Sequence, residues 1–168
     1  FTFFTIDPGE YVNNAADTAD LPDLGRALEN LPWEDLEDNQ SALQDRYRGR
    51  TWEIEGCRIS FDEELVLRAA VKYGRAVAHV VAMYRHLLHS PGGRHGELEV
   101  SVDETETPTT PAEHIYLAQE LKRLGVQWVS LAPRYLGRFE KGVDYIGDLS
   151  AFETDFATHA AIARHFGP

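Results

Sequence analysis

Apolar residues recur at helical spacing along three stretches of the chain. Leu65, Ala69, Tyr73, Ala76, Val77, Val80, Tyr84 and Leu87 fall on one side of a helix expected over residues 61–89. Ile115, Ala118, Leu121 and Leu124 form the stripe of a second helix over 111–124. Phe152, Phe156, Ala160 and Ala163 do the same for a third over 151–165. Elsewhere the period shortens to alternation. Leu98, Val100 and Val102 alternate with Glu97, Glu99, Ser101 and Asp103, which predicts a strand over 98–102. Residues 1–6 and 127–131 also read as strands, and 52–59 as a weaker one interrupted by Gly56.

Each predicted helix opens on a capping-box pattern: Ser60-Phe-Asp-Glu63, Thr110-Pro-Ala-Glu113 and Ser150-Ala-Phe-Glu153. In such a box the Ser or Thr oxygen accepts from an amide in the first turn, and Glu reaches back to the cap's own amide. Pro111 adds the proline favoured at the first helical position. Pro91-Gly-Gly93 stops the first helix, and Gly125 and Gly167 follow the other two. Gly74, inside the first, costs about 1 kcal/mol relative to alanine, so a neighbour is expected to pack closely there. Residues 8–39 are acidic and rich in turn signals, with a short helix expected around 32–47. The stretch 8–50 therefore reads as an acidic, irregular surface insertion within a single domain spanning 1–168. The strand–helix order places the chain in the α/β class with parallel βα units. A doubly wound sheet and a fragment of a (β/α)8 barrel both fit.

Composition narrows the functions available. The 168 residues suffice for one domain, and 43% hydrophobic residues suffice for a packed core. A net charge of −12 repels nucleic acid and anionic lipid, so neither is an expected partner. The single cysteine, Cys57, rules out a disulfide framework and points to a reducing cytoplasm. No apolar run approaches the roughly 18–20 residues of a membrane span. The first residues lack the basic start of a signal peptide. The chain opens on a strand without Met and stops just after a helix, so both ends read as cuts inside a longer protein. Metalloprotease, nucleophile-elbow, dinucleotide and P-loop patterns are all missing from the sequence.

In parallel α/β folds the chemistry lies beyond the carboxyl ends of the strands. Asp103, Glu104 and Glu106 follow the strand 98–102. Carboxylates this dense suit a divalent-metal ligand with a general acid or base, or else a solvated loop whose charge favours the helix dipole behind it. Arg134 and Lys141 follow the strand 127–131 and are candidates to hold a substrate carboxylate; the other reading pairs them with Glu140 or Asp144. Asp7 follows the strand 1–6 as a rim acid or as the start of an Asx-Pro turn. His114 falls in the first turn after the acidic cluster and is a lesser candidate for the rim. His79, His86 and His89 are spread along the long helix, and His159 and His165 read as structural.

Several segments together resemble one family. They are Val102-Asp-Glu-Thr-Glu-Thr-Pro108, Leu131-Ala-Pro-Arg-Tyr135, Phe139-Glu-Lys-Gly-Val-Asp-Tyr-Ile-Gly-Asp148 and His159-Ala-Ala-Ile-Ala-Arg-His165. Arg68-Ala-Ala-Val-Lys-Tyr-Gly74 and Phe3-Phe-Thr-Ile-Asp-Pro8 add to them. The chain is similar, over essentially its whole length, to the tagaturonate epimerase family. The resemblance implies a partial TIM-barrel-like (β/α)8 fold and a metal-dependent enzyme of hexuronate catabolism that interconverts D-tagaturonate and D-fructuronate. Members are longer and continue into a His-rich strand after the equivalent of Gly167-Pro168, so an internal fragment, inactive alone, is expected.

The two keto acids differ at a hydroxyl-bearing carbon β to the ketone. Simple enolisation does not invert that carbon, whereas retro-aldol cleavage, rotation and re-addition do. For that chemistry the residue types at the strand ends offer Asp103, Glu104 and Glu106 as candidate acid–base residues, Arg134 and Lys141 as candidate substrate-binding residues, and Asp7 and Glu104 as candidate ligands of a divalent metal cation. The implied partner is a small-molecule sugar acid. Exposed strand edges would favour a homo-oligomer. The rival readings are a sugar-acid isomerase or mannonate/altronate oxidoreductase sharing the barrel, and a non-catalytic carbohydrate-binding domain.

Overall fold

The computed structural model describes residues 3–90 and 96–167. In chain order the elements are β1 (Phe3–Ile6), α1 (Leu21–Glu29), α2 (Gln40–Tyr47), β2 (Thr51–Ile54), β3 (Cys57–Ser60), α3 (Glu63–His89), β4 (Glu97–Val102), α4 (Pro111–Arg123), β5 (Ser130–Pro133) and α5 (Leu149–Phe166). Short 3-10 turns at Gly9–Tyr11 and Asn14–Asp17 follow β1. The predicted Phe1 and Thr2 of the first strand and the helix-stopping Pro91-Gly-Gly93 lie outside the described residues.

The α/β class and the parallel pairing hold. β1, β4 and β5 form a three-stranded sheet in the order β1-β4-β5, parallel throughout, with Phe3 opposite Glu97 and Glu99 opposite Ser130. Among the described residues the sheet does not close into a barrel. β4 is the central strand, and its alternation is resolved as expected: Leu98, Val100 and Val102 are buried. The long α3 packs against α1, α2 and α4, and α4 packs on α5. No helix among the described residues is long and apolar enough to cross a membrane.

Several expectations need correction. The stretch 52–59 is two strands, not one. β2 and β3 pair antiparallel as a separate hairpin, Trp52 opposite Ile59. Its two-residue turn puts Glu55 at φ 47° and Gly56 at φ 88°, the left-handed pair that a type I′ turn requires. The last strand begins three residues later than the apolar run suggested, because the chain first closes α4: Gly125 sits at φ 79° and Val126 N–H donates to Leu121 O at 3.0 Å.

Of the three capping boxes only Thr110 forms. Its hydroxyl accepts from Glu113 N–H at 3.2 Å, and Glu113 Oε2 accepts from Thr110 N–H at 2.7 Å. Asp62 caps α3, accepting from Leu65 N–H at 2.8 Å, while Ser60 is engaged across the hairpin with Thr51. Asp148 caps α5, accepting from Ala151 N–H at 3.0 Å, and leaves Ser150 in the first turn.

The stretch 8–50 holds more helix than expected and adds apolar side chains to the core. It carries α1 as well as α2, the latter starting later than predicted, and it buries Leu24, Leu28, Leu31, Leu36, Leu43 and Tyr47 in the common core. Leu31 is the close neighbour that Gly74 implied: a Cβ on Gly74 would stand 3.0 Å from its Cδ1. A charged network seals the contact with α4. Tyr47 donates to Glu120 Oε1 at 2.7 Å, Arg46 spans Asp38 at 2.7 Å and Glu120 at 3.1 Å, and Arg123 donates to Glu120 Oε2 at 2.7 Å.

Candidate functional site

The parallel pairing of β1, β4 and β5 brings their carboxyl ends to one side, and the segments that follow them meet there. β1 runs into Asp7, whose Oδ1 accepts from Gly9 N–H at 2.9 Å. A Cβ on Gly9 would lie 3.1 Å from that oxygen and 3.7 Å from Glu104 Cβ. Asp7 and Glu104 therefore flank the same backbone, although they are 97 positions apart (104 − 7). Both carboxylates are exposed.

β4 runs into Asp103, which accepts from the Ser101 hydroxyl and is exposed. Asp103 lines an open cleft of about 680 Å³ together with Pro133, Arg134, Tyr135, Arg138, Phe139 and Glu140. Two carboxylates and two guanidiniums thus share this cleft. A second cleft, of about 650 Å³, lies at the opposite, amino ends of β4 and β5 around Glu97, Leu98, Val126 and Val129. Its position is not the one parallel α/β sites use.

Arg134 is fixed at its backbone. Its N–H donates to Thr109 Oγ1 at 3.0 Å and its carbonyl accepts from Thr109 N–H at 2.8 Å. These bonds hold the end of β5 to the residue before the α4 cap. The following loop is braced by Arg138 and Ile146, which exchange backbone hydrogen bonds at 2.9 and 3.2 Å. Gly137 must be glycine here: φ is 84°, and a Cβ would fall 2.3 Å from the Tyr145 hydroxyl oxygen. Lys141 is exposed on the turn that Val143 N–H closes onto Glu140 O, outside the lining of the cleft.

The acidic loop itself is held from beneath. Glu106 projects to solvent, and its N–H donates to Asn14 Oδ1 at 3.0 Å. Thr105 is buried and donates to Thr107 O at 2.7 Å. Thr107 Oγ1 donates to Asp17 Oδ2 at 2.7 Å and accepts from Lys72 Nζ at 3.0 Å. The structure thus brings Asp7 beside Glu104, and Asp103 into one cleft with Arg134. It sets Glu106 and Lys141 on the periphery of that arrangement.

His114 does not face the rim. It is 2% exposed, and its Nδ1 lies 2.9 Å from Nδ1 of the equally buried His159 on α5. Burial, with His159 alongside, pushes His114 down to about 3, and burial lowers His159 as well. Both rings are therefore neutral near neutral pH. Among the described residues no group of three or more His, Cys, Asp and Glu side chains is placed to hold a metal ion.

Sequence reasoning missed Lys72, Asp17, Asn14, Thr109 and Arg138. One signal was available: Lys72 interrupts the apolar run Ala69-Ala-Val-Lys-Tyr-Gly74, an unusual place for a cation on a helix that buries this face.

Parallel βα units that gather carboxylates and arginines at their carboxyl ends define an α/β chain with an open cleft of mixed charge at the sheet's carboxyl edge. The chain belongs to the tagaturonate epimerase family, UxaE, whose profile matches residues 1–168. A tagaturonate/fructuronate epimerase of Thermotoga maritima is 42% identical over 166 residues, which cover 99% of this chain and 33% of that protein. The native crystal structure of the fructuronate-tagaturonate epimerase UxaE of Cohnella laeviribosi superposes with a TM-score of 0.88 at 36% identity, covering 99% of this chain and 33% of that one. A one-glycerol complex of the same enzyme gives 0.87 at 37% identity. The chain spans about a third of the length of these relatives.

Proposed function

We propose that the full-length protein carrying this chain interconverts D-tagaturonate and D-fructuronate, and that this chain supplies one arc of the active-site rim. The observation that carries the reading is the cleft that Asp103 and Arg134 share beyond the carboxyl ends of β4 and β5, in a chain whose relatives bear that activity in their names.

In this reading Arg134 holds the substrate carboxylate with its guanidinium fork, and Lys141 adds positive charge from the adjoining turn. Asp103, with Glu104 and Glu106 beside it, serves as the base. It takes the proton of the hydroxyl β to the ketone. The bond between the α and β carbons then breaks, and its electron pair moves to the ketone oxygen as an enediolate. The β carbon leaves as an aldehyde, turns over and is attacked on its other face. The bond re-forms, the new alkoxide recovers the proton, and the configuration is inverted with all atoms conserved. Arg138 is placed in the same cleft to offset the enediolate charge.

Asp7 and Glu104 are the carboxylates this chain offers to a divalent cation. They do not make a site by themselves, since a hard divalent cation takes about six to eight oxygens. A small soluble sugar acid as substrate is in keeping with action in the cytoplasm.

The test is turnover of D-tagaturonate by the full-length protein in heavy water, followed by NMR. D-fructuronate should form without added NAD, and the inverted carbon should keep its original hydrogen, because that hydrogen travels with the aldehyde. Deuterium at that carbon would sink the retro-aldol route. A strict requirement for NAD would favour an oxidoreductase instead.

A further inference from the structure

Lys72 lies midway along α3 and is 1% exposed. An ammonium buried so deeply is costly unless acceptors surround it. Three residues do. Nζ lies 2.9 Å from Asp17 Oδ1, 2.9 Å from Glu113 Oε1 and 3.0 Å from Thr107 Oγ1. They come from three parts of the chain. Asp17 closes the 3-10 turn after β1, Thr107 ends the acidic loop after β4, and Glu113 stands in the first turn of α4.

The three partners are also joined to one another and to the loop. The Thr107 hydroxyl donates to Asp17 Oδ2 at 2.7 Å while accepting from Lys72, and Glu113 closes the Thr110 cap. Asn14, in the same turn as Asp17, accepts from Glu106 N–H. A cation needed only to neutralise nearby carboxylates would be served by the part-buried Asp17 and the buried Glu113. The link to Thr107 reaches further, into the segment that carries Asp103, Glu104 and Glu106. Charge adds to the argument. One ammonium faces two carboxylates directly, with the acidic loop just beyond them. Without the cation these like charges would push the loop away from the α4 terminus.

We propose that Lys72 is a positioning residue for the rim: through Thr107 it fixes the acidic loop after β4 and so sets where Asp103, Glu104 and Glu106 stand. The role in turnover rests on the reading of those carboxylates given above. The role in holding the loop does not.

The experiment uses the full-length protein and begins with Thr107→Val, which cuts the link to the loop and leaves the ion pairs of Lys72 with Asp17 and Glu113 in place. Amide exchange at Glu104, Thr105 and Glu106 should quicken by at least roughly tenfold, with α4 unchanged. Turnover number should fall by roughly tenfold or more with KM within about threefold, since misplacement of reacting groups weakens chemistry more than binding. The melting temperature should stay within about 2 °C of the parent. Thr107→Ser, which keeps the hydroxyl, should restore both rate and exchange. Lys72→Met should quicken the same amides, and adding it to Thr107→Val should lower turnover by less than the product of the separate losses. Unchanged exchange in Thr107→Val overturns the proposal, whatever the rate does. Faster exchange with full activity in Asp103→Asn, Glu104→Gln and Glu106→Gln overturns the role of the carboxylates and sustains the anchoring of the loop.

Discussion

His114 on α4 and His159 on α5 meet nitrogen to nitrogen, their Nδ1 atoms 2.9 Å apart in the buried contact between the helices. One ring must donate and the other accept, so the contact exists only while at least one is neutral. Asp155 Oδ1 lies 3.6 Å from His159 Nε2, and the Tyr135 ring stands edge-on to His159 at 5.6 Å between centroids.

That pair makes the fold acid-sensitive. With His114 held at about 3 against 6.5 for the free side chain, the unfolded chain binds the proton first as the pH falls. Above pH 6.5 both states are neutral and the histidine makes no difference. Between 6.5 and about 3 stability drops by about 1.4 kcal/mol per pH unit for each proton that only the unfolded state takes up. His159, also lowered, adds to the same slope. Urea unfolding of the full-length protein at a series of pH values should show this decline, and His114→Leu combined with His159→Leu should flatten it. A double variant that loses stability as steeply as the parent across that range would place the acid sensitivity outside this pair.

Glu120 predicts a sharp contrast between neighbouring substitutions. It is 1% exposed and accepts from Tyr47, Arg46 and Arg123. Tyr47→Phe removes one donor and leaves the carboxylate with both arginines, at a cost of about 1 kcal/mol. Glu120→Ala takes the shared acceptor from Tyr47, Arg46 and Arg123 at once, leaves Arg46 to Asp38 and Arg123 to the Leu36 carbonyl, and should cost about 3 kcal/mol. Thermal or urea unfolding of the two variants would measure the gap; equal losses would contradict the placement of Glu120 at the centre of the network.

Local signals were read correctly where one pattern stood alone. β4 alternates cleanly, and α4 combines Thr110, Pro111 and an apolar stripe. Where two cap residues competed, the spacing misled. Asp62 stands two positions after Ser60 and Asp148 two before Ser150, and in each case the aspartate took the cap. α1 was hidden because Pro22 and Gly25, poor helix formers, sit among acidic residues, although Leu24 and Leu28 were already at helical spacing. The carboxylates after β4 stood out in the sequence because three fall within four positions, Asp103 to Glu106. Their anchor was not, because Lys72 lies 55 positions from Asp17 and 35 from Thr107, beyond the reach of any local period.

The loop after β5 predicts how this chain behaves alone. Phe139 is 63% exposed, Leu149 56% and Val143 55%, with Ile146 and Phe156 also open to solvent. β5 has one neighbour in the sheet, which leaves its other edge unpaired among the described residues. An apolar surface beside an open strand edge drives association. Sedimentation of the isolated 168-residue chain should show concentration-dependent self-association, and Phe139→Glu with Leu149→Glu should weaken it. A strict monomer at high concentration would count against both the exposed edge and the apolar loop as association surfaces.

The cleft separates the two candidate cations for the substrate carboxylate. Arg134 lines it and is braced by Thr109, whereas Lys141 is exposed on the neighbouring turn. In the full-length protein Arg134→Met should raise KM for the keto acid by roughly ten- to a hundredfold, because a fork held in place by its backbone loses a directed pair of charge-assisted bonds. Lys141→Met should change KM by no more than about threefold, since an exposed charge acts through screened water. Asp103→Asn should behave differently from both, lowering turnover by roughly 10²–10⁴ with little change in KM, because it removes a proton acceptor rather than a binding contact. Steady-state kinetics on the three variants distinguishes these outcomes. If Lys141→Met instead produced the larger rise in KM, the substrate carboxylate would be held at the 140–143 turn rather than by Arg134, and the assignment of Arg134 would fall.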